Sequence, residues 1–116
     1  MDYMNDEIKE SWEHRIRNMA PKIKKAEEGL AKADASVKKL LAELKIKAFA
    51  AGAKTSSAQE TQAESSDELF KKRLLIGTAK GEISSLKVEL KSLEVGFEEW
   101  RTKMVNAREE RKRYGA

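Results

Sequence analysis

Starting at Trp12, apolar residues recur in alternating steps of four and three: Trp12, Ile16, Met19, Ile23, Ala26, Leu30, Ala33, Val37, Leu40 and Leu44. A strand has a side-chain period of two, so this seven-residue repeat excludes one and gives a helix a narrow seam that another helix must cover. Ile16, Ile23, Leu30, Val37 and Leu44 take heptad position a, and the others take d. A second seam of the same kind follows, with Leu69, Ile76, Ile83, Leu90, Phe97 and Met104 at a. Its d positions are Ala79, Leu86, Leu93, Trp100, Ala107 and Tyr114, interrupted by Lys72 and Arg111. The spacing predicts an all-α chain, a long antiparallel two-helix coiled-coil hairpin that assembles into a helical-bundle oligomer.

Local signals set the expected boundaries of a single helical domain over residues 1–116. Asn5 followed by two acids reads as a helix cap, and Gly52 as a stop, giving helix one over about 5–50. Pro21 lies off the seam at position f, where it kinks or restarts a helix, so a bend is expected near 18–21. The stretch GAKTSSAQETQAESSD, from Gly52 on, has no apolar period and predicts a polar, flexible linker over about 52–66. Ser65 with Glu68 resembles a capping box that opens helix two, over about 67–113. If facing residues have numbers summing to 116, every a residue meets a d residue, with Trp12 on Met104, Met19 on Phe97 and Leu40 on Ile76.

A few apolar residues fall outside the seams: Leu41, Phe49, Phe70, Leu75, Val88 and Val95. One hairpin cannot cover them, and Leu41, Phe70, Leu75, Val88 and Val95 are the expected interface of a homo-oligomer.

The composition narrows the function classes. With 38% charged residues and 6% aromatic residues in 116, the core is a thin seam with no expected pocket for catalysis. No cysteine is present, which removes disulfides and thiolate metal sites. The lone His14 lies at an outward f position beside Glu10 and Glu13, and no HxxxH or ExxH spacing occurs, so neither a metal nor another cofactor is expected. Gly77 and Gly81 follow no strand and precede no GK[ST], so they form no phosphate loop. Trp12 and Trp100 occupy d positions and read as core rather than as stacking platforms for bases. No apolar run approaches the ~20 residues that span a bilayer, which makes membrane association the least favoured expectation and the cytoplasm the expected location.

The net charge of +4 is small, and its distribution says more than its size. The C-terminal segment carries Arg101, Lys103, Arg108, Arg111, Lys112 and Arg113 against Glu109 and Glu110. In the expected register this segment lies beside Arg15, Arg17 and Lys22, with Lys24 and Lys25 following, so both helices are basic at the end remote from the linker. These residues are the expected contacts of a non-enzymatic accessory protein that binds single-stranded nucleic acid through its phosphates. The alternative is a structural or adaptor coiled coil, such as an assembly factor, scaffold or chaperone-like protein, whose partner is another helix.

From Leu41 to Tyr114, through SSDELFKKRL and SLEVGFEEWRTKMVNAREERKRYG, the chain resembles the UvsY-type mediators of phage recombination. The resemblance implies single-stranded DNA binding, help in loading a strand-exchange protein, and a setting in the cytoplasm of a phage-infected cell. It assigns no residue a role.

Overall fold

The computed structural model describes residues 2–115, and the side chains of residues 5–115. Among the described residues there are three helices and no strands: α1 Asp2–Ala50, α2 Ser56–Glu64 and α3 Asp67–Arg113. The chain forms two compact units. One comprises residues 1–23 and 85–116, the other residues 24–84. Both long helices contribute to both units, and in each they run antiparallel.

In the first unit, Trp12 stacks on Phe97 with ring centroids 6.3 Å apart and planes within 2°, and Phe97 in turn lies against Trp100 at 6.1 Å. In the second, Lys72 Nζ donates to Ser36 Oγ (2.7 Å), and the charge of Lys45 reaches the Glu64 carboxylate. Every a and d position from Trp12 to Leu44, and from Leu69 to Ala107, is buried or half-buried, with Met19, Leu40, Leu69, Ile83 and Leu93 the most enclosed. Periodic burial of this kind is what a seven-residue repeat requires.

The register differs from expectation by one heptad. Trp12 and Phe97 sum to 109, and Ser36 and Lys72 sum to 108. A shift of seven keeps a against d, so the seam is preserved while each partner changes: Trp12 meets Phe97 rather than Met104. The cause lies in the segment expected to be a flexible linker, which instead holds α2. This helix opens on Thr55, whose Oγ1 accepts from Ala58 N–H (3.1 Å), and it buries Ala63 almost completely. Lying beside the last turns of α1, α2 occupies residues that would otherwise extend the hairpin and sets the start of α3 back along α1.

The boundaries follow from backbone hydrogen bonding. Beyond α1, Ala53 N–H donates to Ala48 C=O (2.9 Å) and Gly52 N–H to Phe49 C=O (3.1 Å), with Gly52 at φ 112°. That pair of bonds is a Schellman stop, and it needs a residue tolerant of positive φ. The α3 cap is Ser66, whose Oγ accepts from Leu69 N–H (3.3 Å), one residue beyond the expected Ser65. Ser65 instead closes α2, donating its Oγ–H to Gln62 C=O (2.6 Å). Asn5 is not a cap, since α1 begins at Asp2, and α1 continues helically through Pro21. Tyr114 was expected in the seam but is 77% exposed, because in the observed register α3 outruns the start of α1.

Candidate nucleic-acid interface

The one-heptad shift changes which charges share a surface. Arg101, Lys103, Arg108, Arg111, Lys112 and Arg113 are all exposed on α3. In that register they do not stand level with Arg15, Arg17 and Lys22, although Arg101 and Arg15 lie against the same Trp12–Phe97 pair. In the observed register Arg15 stands level with Glu94, and Arg17 with Ser92. Arg101 and Arg108 instead border a hollow of about 250 Å³ with Asn5, Asp6 and Lys9. Asp6 and Lys9 bring one charge of each sign to that hollow. Arg101 also binds Glu98 (3.2 Å) and lies 5.5 Å over the Phe97 ring, while Arg15 sits 5.3 Å over Trp12. Arg17 turns its Nε–H back to Glu13 C=O (3.4 Å). Arg111, Lys112 and Arg113 form the last turn of α3, where cations complement the helix dipole. The predicted cluster is thus split, and part of it is engaged in local contacts.

A basic surface that the sequence reading did not assemble lies on the outer face of α1 in the second unit. Lys24, Lys25, Lys32, Lys38 and Lys39 occupy heptad positions b and c, are all exposed, and share that face with a single acid, Glu28. Among the described residues none of the five takes part in an ion pair. Lys25, Lys32 and Lys39 are spaced seven residues apart, about 10 Å per step at 1.5 Å per residue. The signal was available: the heptad that buries Leu30 and Val37 fixes these lysines on the opposite side. The C-terminal run is the denser of the two in sequence and the less coherent in space.

Other candidates resolve as structure. Trp12 and Trp100 are half-buried around Phe97, and Trp100 also lines the hollow beside Asn5 and Lys9. His14 is exposed and shares a hydrogen bond with Asn18 Nδ2 (3.1 Å). No group of three or more His, Cys, Asp or Glu among the described residues is placed to hold a metal ion. Among the described residues no helix is long and apolar enough to cross a membrane. Of the expected oligomer contacts, Phe70, Leu75, Val88 and Val95 are exposed along α3, whereas Leu41 is half-buried on α1.

No family model matches this chain, and neither a curated protein nor a solved structure matches it.

Proposed function

We propose that this chain is a non-enzymatic accessory protein that binds nucleic acid along its phosphate backbone through the outer lysines of α1. The observation that carries the reading is the row Lys24, Lys25, Lys32, Lys38 and Lys39, exposed on one helix face with Glu28 as its only acid. A straight row of ammonium groups matches a polyanion by charge and spacing without reading base edges, so the affinity is salt-dependent and indifferent to sequence. With both tryptophans in the core, stacking contributes little, and the contact is with phosphate rather than base. Arg111, Lys112 and Arg113 extend past the start of α1 and form a secondary contact. A role in loading a strand-exchange protein, which the resemblance to phage mediators implies, would build on this binding.

The test is fluorescence anisotropy of a labelled single-stranded oligonucleotide, with a duplex of equal length alongside. Joint replacement Lys25→Glu, Lys32→Glu and Lys39→Glu lowers affinity at least about tenfold at unchanged helicity, because it removes three phosphate contacts and adds three repulsions. Reversal of Arg108, Arg111 and Arg113 has a smaller effect. Full affinity in the lysine variant would reject the reading.

A second reading, a structural or adaptor coiled coil that receives a partner helix, is favoured by a different observation: Phe70, Leu74, Leu75 and Val88 are more than half exposed on α3. On that reading the interaction is insensitive to salt.

A further inference from the structure

The two long helices differ in what they show to solvent. From Arg17 to Ala42, α1 has twelve outward positions b, c and f, all exposed, and seven are charged: Arg17, Lys24, Lys25, Glu28, Lys32, Lys38 and Lys39. From Phe70 to Val95, α3 also has twelve, all exposed, and only Lys71 and Lys91 are charged. The rest of that face is apolar or small, with Leu74, Gly81, Val88 and Val95 following one another at seven-residue intervals. In a chain with 38% charged residues, the outward positions are where charge belongs, and this helix withholds it there. Gly77 and Gly81 add to the contrast. Neither has positive φ, and a Cβ at either would meet nothing within 4 Å, so nothing within the chain requires glycine there. Each nevertheless weakens the helix relative to alanine.

We propose that this face of α3 is where a second copy of the chain docks, with the two α3 helices side by side and parallel. The occupant and its direction follow from the edges of the face. One edge, heptad position e, carries Lys80 and Lys87 at its centre, between Arg73 and Glu94; the other, position g, carries Glu82 and Glu89 after Leu75. When two copies pair in parallel about a two-fold axis, the e edge of one lies along the g edge of the other, so lysines meet glutamates on both sides. Antiparallel pairing sets e against e and places the lysine edges together, which is unfavourable. The small residues between the edges let the two backbones approach closely enough for those charges to meet. Leu74, Val88 and Val95 then supply the apolar contact at the centre.

Because the chain has no cysteine, single introduced thiols report on the pairing without background. The experiment combines sedimentation equilibrium of the full chain with oxidation of three variants, Leu74→Cys, Gly81→Cys and Val88→Cys. A parallel pair predicts a dimer in which each of the three thiols cross-links to its own counterpart. It also predicts that Val88→Glu shifts the dimer toward monomer at least tenfold in concentration while helicity is kept. Lys80→Glu weakens the dimer, and adding Glu82→Lys to the same chain restores it. A monomer at all concentrations overturns the proposal, as does a dimer indifferent to Val88→Glu. Cross-linking at one position alone, as near the crossing point of an antiparallel pair, overturns the parallel arrangement. Oligonucleotide binding by such a monomer would leave the lysine face of α1 standing, so the two proposals fail separately.

Discussion

Gly96 and Gly29 are both interior helical glycines, yet their surroundings assign them different roles. A Cβ on Gly96 would lie 2.8 Å from the edge of the Trp12 ring, which is held against Phe97, whereas one on Gly29 would meet nothing within 4 Å. Gly96→Ala therefore has to displace an indole that cannot retreat without breaking the stack, at a cost of about 1–3 kcal/mol that exceeds the gain in helix propensity. Gly29→Ala has only the gain, about 1 kcal/mol. Denaturant unfolding of the two variants should show opposite shifts in midpoint, with a change in tryptophan fluorescence for Gly96→Ala alone. At this scale the sequence was informative wherever the heptad applied: Trp12 and Trp100 are core because they occupy d. Tyr114 also occupies d but is exposed, since a seam position has meaning only where a partner helix is present. Gly96 gave no signal, because its role depends on a neighbour from the other helix.

Among the elements, α2 is the least regular in sequence, and named contacts fix it in place. Arg73 of α3 grips the Glu64 carboxylate with two guanidinium nitrogens, one at 2.9 Å from Oε1. The hydrogen bond from Arg73 holds the Glu64 carboxyl below its ordinary value, and the charges of Arg73 and Lys45 act in the same direction. A carboxyl lowered in the folded state adds stability that is complete above its unfolded value and is lost as pH falls through the folded one. Acidification below the ordinary carboxylate range should therefore loosen α2 before it unfolds the long helices. Hydrogen exchange at the amides of α2 would report this as a fall in protection relative to the intrinsic exchange rate at each pH, which itself slows on acidification. Arg73→Ala should produce the same loss of protection at neutral pH, and Glu64→Gln should remove the pH dependence of the protection. Sequence reading missed this helix because one buried alanine and a threonine cap leave no apolar period, and small polar residues resemble a linker.

The molecule as a whole carries two contrasting outer faces, a lysine row on α1 and a nearly uncharged stripe on α3. The all-α, antiparallel pairing was legible from the two seven-residue seams, since only one stripe of each helix is apolar enough to be buried. The register was not. Shifts of seven residues all match a with d, and the choice fell to α2, whose nine residues the pattern did not reveal. The same shift separates most of the C-terminal basic residues from Arg17 and Lys22, whereas the grouping of Lys32, Lys38 and Lys39 depends on the helix face alone. Oligonucleotide affinity measured as a function of salt decides whether the α1 lysines hold phosphates. If the five outer lysines of α1 track phosphates, log K falls linearly with log salt at a slope of about −3.5 for a single strand, and the lysine-reversal variant loses most of it. Affinity that is flat with salt, or a slope unchanged in that variant, would contradict the account.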